Sequence, residues 1–276
     1  MAAKLFAGDQ HAESYAKYRP QSAPEVADLA MAYLKQGKQE SKDIFDFLVD
    51  IGCGNGQSTS MFAPYFSKIL GIDPSENQIK YAQANNKDIK ITYKVGAAED
   101  IPVPDHSVDL IAAGEAIHWV ELDKFFEECK RVLKPDGCIV LHGYNIPQLS
   151  ISENEDAIAD SFSQEFFDSC IWNERVKHVI DGYKEIFEMV PTKNKERNAH
   201  VTDLVRKTTL LGAMQYFQTW SGYQEYQKQK SNSNQEDILT VLSRKLKKHW
   251  NVESKRDDEI KITIKYSVFM ILSKRP

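Results

Sequence analysis

Long apolar runs and an excess of positive charge are both missing from this 276-residue chain. No segment approaches the ~20 consecutive apolar residues that a membrane span needs. The opening stretch "MAAKLFAGDQHAESYAKYRP" has no apolar core of signal-peptide length. A cytoplasmic protein with no membrane partner is the expectation. With 35 Lys and Arg against 40 Asp and Glu, the formal charge is −5, so nothing draws the whole molecule toward nucleic acid. Cysteine is scarce as well. Cys53, Cys129, Cys138 and Cys170 show no CxxC or other metal-ligand spacing, which predicts free thiols in a reducing compartment and no metal site. There is no internal repeat. What is present, 42% hydrophobic and 27% charged residues, suits a soluble globular chain with one large domain, or a domain and a lobe.

Between residues 44 and 145, short β-rich runs alternate with amphipathic stretches, the pattern of a parallel sheet covered by helices on both faces. The runs are "IFDFLVDI" (44–51), "KILGID" (68–73), "KITYKV" (90–95), "VDLIAAG" (108–114) and "CIVLHGY" (138–144). Between them, "QSTSMFAPYF", "SENQIKYAQANN" and "LDKFFEECKRVLK" space apolar residues as half-buried helices do. Pro135 in "KPDG" (134–137) predicts a helix stop and a turn before the next strand. "APEVADLAMAYLKQ" (23–36) reads as one more helix. Residues 151–250 are mostly helical in period, broken by "PTKN" and the polar run "QKQKSNSNQED" (227–237), and strand character returns in "EIKITIKYSVFMILSK" (259–274).

"VDIGCGNGQS" (49–58) joins the first strand to the first of these helical stretches. Glycines there let backbone approach a ligand, and they present N–H groups to a negative one. The dinucleotide fingerprint G-x-G-x-x-G fails, because Gln57 stands where its third glycine belongs. That disfavours a nicotinamide oxidoreductase. The pattern is Asp50-x-Gly52-x-Gly54-x-Gly56, and a carboxylate at the strand end suits an amino group better than a pyrophosphate. An amino-acid-bearing nucleoside fits. Asp73, at the end of the second strand, is placed to accept hydrogen bonds from ribose hydroxyls, although Asp before Pro74 also suits a turn. Ala98 and Glu99 come after the third strand beside the same crevice, where Glu99 is set to accept the amino group of an adenine; a solvated loop is the bland alternative.

Taken in order, "VDIGCGNGQS", "GIDPS", "GAAEDIPVPDHSVDLI" and "RVLKPDGCIVLHGY" resemble the successive motifs of the class I S-adenosylmethionine-dependent methyltransferases. "YAKYRP" (15–20), "AGEAIHWV" (113–120) and "YFQTWSGY" (216–223) extend the similarity toward the trans-aconitate methyltransferase-like branch. The resemblance implies an α/β, Rossmann-like, seven-stranded and mostly parallel sheet with helices on both faces and a helical cap insertion. It divides the chain into an N-terminal helical lid (1–40), an S-adenosylmethionine-binding core (41–150), a helical substrate cap (151–255) and C-terminal strands that complete the sheet (256–276). It implies S-adenosylmethionine as cofactor. Gly52, Gly54 and Gly56 would then pass beside the methionine part, which Asp50 helps to position. Asp73 would hold the ribose, Ala98 and Glu99 the adenine, and Tyr18 and Arg19 would close over the cofactor; Glu115 joins the cofactor set.

Methyl transfer is an in-line displacement that depends chiefly on alignment and exclusion of water. A carboxylate acceptor is already anionic at neutral pH, whereas a phenol, an amine or many thiols must first lose a proton. His118 and Trp119 come just after the fourth strand, where an acceptor would meet the methyl group. His118 is a candidate general base or hydrogen-bond donor, and Trp119 a candidate pocket wall; packing beneath the cap is the plain alternative. Tyr216, Trp220 and Tyr223 are candidate pocket residues, while Phe217 reads as core. The basic stretch "SRKLKKHW" (243–250) reads as a solvated helix face. A small-molecule carboxylic acid is the favoured acceptor, with O-, S- or N-methylation of another metabolite through His118, or cofactor binding without turnover, as alternatives. The oligomeric state stays open.

Overall fold

A computed structural model describes residues 18–20, 23–37, 42–152, 154–230 and 236–276. Most of the expected lid therefore lies outside the described residues, apart from 18–20 and the first helix, α1 (Pro24–Lys35). This helix opens on Pro24, whose missing N–H costs nothing in the first turn, with Glu25 beside it and Lys35 in the last turn, each on the favourable end of the dipole. It turns Val26, Ala27, Ala30, Met31 and Leu34 into the core, a three- and four-residue spacing that keeps them on one face.

Strands β1 (Phe45–Ile51), β2 (Phe66–Asp73), β3 (Ile91–Val95), β4 (Val108–Gly114) and β5 (Leu133–Tyr144) lie parallel in the order β3-β2-β1-β4-β5. Helices α2 (Glu76–Asn85) and α3 (Leu122–Val132) supply two of the crossovers. All seven residues of β4 but the last are buried, as a strand covered on both faces must be. The order turns outward on either side of β1 and β4, so ligands are expected beyond the C-terminal ends of those strands.

The sheet is completed by β6 (Gln148–Ser150), β7 (Lys195–Thr209) and β8 (Lys261–Lys274). β8 runs antiparallel to β5 along Val268–Lys274 and to the three-residue β6 along Thr263–Lys265, while β7 runs antiparallel to β8 along the other edge. Seven long strands and one short one thus match the Rossmann-like, mostly parallel sheet that the motifs implied. One apolar cluster packs α1 against one face of the sheet, and another packs α3 against the opposite face. A third builds the cap from α4 (Ala157–Ser169), α7 (Leu210–Gln218), α8 (Ser221–Lys230) and α9 (Ile238–His249). Two short helices, α5 (Lys177–Ile180) and α6 (Lys184–Met189), precede β7.

Several expectations need correction. The segment read as a helical cap (151–255) contains the fifteen-residue strand β7. None of its residues is buried, because it is an edge strand, and so the apolar alternation that betrays a strand is absent. The C-terminal segment is one strand, not several. "QSTSMFAPYF" forms a 3-10 helix (Thr59–Tyr65) with Pro64 inside it, where proline removes a donor and discourages an α-helix. "KPDG" is no free turn. β5 already starts at Leu133, and residues 134–137 fill a register shift between the pairs Val108–Leu133 and Leu110–Cys138. All four cysteines are free and buried, and no helix among the described residues is long and apolar enough to cross a membrane.

Candidate active site

The turn after β1 holds three glycines at positive φ, +62° at Gly52, +53° at Gly54 and +85° at Gly56, which side chains rarely adopt. Close approach explains two of them further. A Cβ on Gly52 would lie 2.4 Å from Cβ of Ala116 in the loop after β4, and one on Gly56 2.3 Å from the Tyr93 hydroxyl. Gly54 is different. Nothing but Gln78 Oε1, at 4.0 Å, would face its Cβ, so this glycine leaves open space beside the backbone.

Asp73 ties the ends of β1 and β2 together. Its Oδ2 accepts the N–H of Gly54 at 3.0 Å and its Oδ1 that of Ser75 at 2.8 Å. Burial raises its pKa, and these two N–H groups oppose the rise. Ser75 caps α2 by accepting from the N–H of Gln78. Asp50 sits behind the turn: it is buried, its Oδ2 accepts from Thr59 Oγ1 at 2.6 Å, and its Oδ1 has no partner among the described residues. Desolvation pushes its carboxyl up to about 7.

Three cavities open at this end of the sheet. The largest, about 330 Å³, runs from Gly52 and Gly54 past Asp73 and Gln78 to Ala98, Glu99 and Trp119. A second, about 90 Å³, lies between the glycine turn and Arg19, with Asn55, Ser58 and His142 on its wall. The third, also about 90 Å³, lies under the cap between His118, Trp119, Asn145, Trp172, Tyr216 and Trp220. Trp172, Trp220 and Phe167 form one ring cluster, with Trp172 stacked on Phe167 at 4.5 Å.

Arg19 lines both smaller cavities. Its guanidinium donates to Thr219 Oγ1 at 3.1 Å, to the Thr219 carbonyl at 3.3 Å and to the Tyr144 hydroxyl at 3.1 Å, so it fastens the N-terminal segment to the end of α7 and to β5. Tyr18 lines none of the three; its carbonyl accepts from Arg206 and its side chain packs on the cap cluster. Glu99 reaches the largest cavity, while its Oε1 accepts the Glu121 N–H at 2.8 Å. Arg175 donates to the carbonyls of Trp119 and Val120, at 2.7 and 3.2 Å, which fixes the loop after β4 to the cap.

His118 is buried in that loop and shares a hydrogen bond of 3.1 Å between its Nδ1 and the Tyr183 hydroxyl. Desolvation, with the nearby cationic side chains, drives its pKa down to about 3. A neutral imidazole results at physiological pH. Glu115 occupies positive φ, +53°, just past β4; its Oε1 accepts the Tyr144 N–H at 2.5 Å, and burial raises its carboxyl to about 7.

The structure thus brings Gly52, Gly54, Asp73, Ala98, Glu99, Glu115, Trp119, His118 and Arg19 around one connected region, while Gly56, Asp50 and Tyr18 support it from outside the cavity walls. Of the cap aromatics, Tyr216 and Trp220 line the third cavity and Phe217 is core, but Tyr223 faces another part of the cap, bonded to Asp237. Wall residues missed from the sequence include Asn55, Gln78, His142, Asn145 and Trp172. The cap Ser75 three residues before Gln78 was the only cue to that one. Asn55 Nδ2 and Gln78 Oε1 are buried without partners among the described residues, an unmet donor and an unmet acceptor. A ligand carrying a carboxylate and several hydroxyl or amino groups, such as S-adenosylmethionine, fits these walls.

Residues 49–141 match the family described as methyltransferase domain. A protein of Dictyostelium discoideum with a provisional methyltransferase name is 28% identical over 95% of this chain and 92% of its own length. One of Saccharomyces cerevisiae, named provisionally as an S-adenosylmethionine-dependent methyltransferase, is 34% identical over 37% of this chain and 36% of its own length. A solved structure from Anaeromyxobacter dehalogenans, described as a type II methyltransferase of provisional assignment, superposes with a TM-score of 0.68 at 22% identity, covering 92% of this chain and 97% of that one; it bears on the fold alone. Fold, glycine turn and matched domain define a Rossmann-like methyltransferase. The matched domain and these relatives support S-adenosylmethionine-dependent methyl transfer as the activity of this chain.

Proposed function

We propose that the methyl acceptor is a small-molecule carboxylic acid held in the cavity beneath the cap. The observation that carries this reading is the pairing of a neutral, buried His118 with the Arg19 guanidinium on the same cavity wall. An imidazole with a pKa near 3 is a weak base, so an acceptor that must be deprotonated is poorly served. A carboxylate needs no base and is drawn to an arginine. S-adenosylmethionine, when bound, supplies an electrophilic methyl group on a cationic sulfur. The acceptor oxygen forms the new bond to that carbon as the carbon–sulfur bond breaks, its electron pair staying on sulfur, and no proton moves.

In this reading Tyr183 donates to Nδ1 of His118, leaving the ring proton on Nε2 as a donor to the acceptor carboxylate. Trp119 and the rings of Trp172, Trp220 and Tyr216 exclude water. For the cofactor, Asp73 accepts from the ribose hydroxyls, Ala98 and Glu99 flank the adenine, and Gln78 and Asn55 satisfy further polar groups. Gly52, Gly54 and Arg19 border the amino-acid part, while Asp50, Gly56 and Tyr18 act by holding the turn and the N-terminal segment. Placement in the trans-aconitate methyltransferase-like branch is part of the same proposal, resting on "YAKYRP", "AGEAIHWV" and "YFQTWSGY". The test is incubation with methyl-labelled cofactor and a panel of acids, phenols, thiols and amines. A carboxylic acid product is a methyl ester that releases labelled methanol in mild alkali. Label retained in an alkali-stable ether, thioether or amine rejects the proposal.

A further inference from the structure

The sulfur of S-adenosylmethionine carries three substituents, an adenosyl group, an aminobutyrate chain and the methyl group, and three cavities meet in this site. Among the described residues, Glu115 alone stands on the wall of all three. The junction is built with unusual backbone. Glu115 sits at φ +53°, a conformation that is uncommon outside glycine and clusters at functional sites. Its carboxylate has room only because residue 143 is glycine: a Cβ there would lie 2.7 Å from Glu115 Oε1 and 2.6 Å from the Phe269 ring. The Tyr144 N–H then holds that oxygen at 2.5 Å.

Building on the S-adenosylmethionine reading, we propose that Glu115 is the carboxylate that faces the cationic sulfur, and that it makes the site favour the sulfonium donor over the neutral thioether product. A carboxylate buried at a branch point gains most from a ligand whose own branch point is positive. Transfer removes that charge while leaving the adenosyl and amino-acid parts unchanged. Product therefore loses the one interaction that distinguishes it from donor, which assists its release.

The groups facing Glu115 are Arg19 from the N-terminal segment, Tyr144 on β5, Tyr183 before α6 and Tyr216 on α7, with His118 and His142 nearby on the cavity walls. Burial keeps Tyr183 and Tyr216 protonated and both histidines neutral near pH 7. Asp50 titrates in the same range as Glu115 but lies behind the glycine turn, outside the three walls.

The test measures affinities for S-adenosylmethionine and S-adenosylhomocysteine by calorimetry on the full chain. Glu115→Gln is expected to weaken the sulfonium ligand about tenfold or more while changing the thioether about twofold or less. Equal loss for both, or no change in either, overturns the proposal. A second measurement needs no variant: in the wild-type protein the preference for donor over product should rise between about pH 6 and about pH 8, as the carboxyl ionises. The sulfonium also lowers the pKa of the donor's amino group, but that titration is the same in wild type and variant, so the part of the rise that Glu115→Gln abolishes belongs to the carboxyl. A ratio flat with pH overturns the proposal even if Glu115→Gln fails to fold, and a rise that survives undiminished in a folded Glu115→Gln overturns it too. Wild-type protein that binds neither ligand rejects the S-adenosylmethionine reading itself.

Discussion

Asp73 Oδ2 accepts the backbone N–H of Gly54 at 3.0 Å, so the carboxylate that we propose meets a ribose also holds the glycine turn of the neighbouring strand in shape. In that proposal one side chain serves the fold and the cofactor together. Asp73→Ala is expected to weaken S-adenosylmethionine binding by about 1–3 kcal/mol and to lower thermal stability as well, since Gly54 and Ser75 both lose an acceptor. Calorimetry with a thermal melt separates the two effects. Unchanged affinity in a folded variant would remove Asp73 from the cofactor site.

Gly54 and Gly56 look equivalent in sequence, but their surroundings differ. Alanine at Gly56 meets the Tyr93 hydroxyl at 2.3 Å and its ring at 2.7 and 3.1 Å as well as a left-handed backbone, so Gly56→Ala should destabilise the protein by about 2–4 kcal/mol. Alanine at Gly54 meets only the backbone cost, about 1–2 kcal/mol, but its methyl projects toward the space beside Gln78. Gly54→Ala should therefore lose more cofactor affinity than Gly56→Ala, and Gly56→Ala more stability. Denaturant titration and calorimetry on both variants check the crossing; the reverse order would mean the cofactor lies elsewhere.

The contrast shows what one sequence makes legible. Strands β1, β2, β4 and β5 carry runs buried on both faces and β3 alternates buried with exposed residues, so their apolar patterns stand out, and a glycine turn with Asp50 before it announces close backbone approach. β7 was invisible because an edge strand needs no buried residues. Asp50 was misplaced for a related reason: its position at the strand end was readable, but its burial behind the turn and its bond to Thr59 depend on how a 3-10 helix packs. Gln78, His142 and Asn145 come from three separate elements, and only the folded sheet places them on the walls of one connected region.

Asp50 offers a test through pH. Its carboxyl titrates near 7 when folded, above the ordinary value of 3.8, so between those values the folded state binds more protons than the unfolded one. Its contribution to stability therefore falls as pH rises through that window, and is least favourable above it. Asp50→Asn removes the titration. In the absence of cofactor, the variant's stability relative to wild type should be higher at about pH 8 than at about pH 5, by on the order of 1 kcal/mol or more. Urea unfolding at the two pH values measures the difference; a difference that does not change with pH would mean that Asp50 is not desolvated as its burial implies.

His118 distinguishes the two ways of using an imidazole. With a folded pKa near 3 it stays neutral throughout the usual assay range, so in the proposed function it orients an acceptor without exchanging protons. His118→Ala should lower kcat by about tenfold or more while leaving S-adenosylmethionine affinity within about twofold, because the side chain lines the cavity beneath the cap, proposed for the acceptor, and not the glycine turn. His118→Gln, which retains a donor, should recover part of the loss. If His118 were instead the general base, kcat against pH would rise along a limb that Glu115→Gln leaves in place and His118→Ala abolishes. A limb lost only in Glu115→Gln belongs to the carboxyl at the cavity junction, and equal loss of turnover and cofactor binding in His118→Ala reduces the histidine to packing. The profile across the three proteins decides among these roles, and the neutral donor requires that no limb depend on His118.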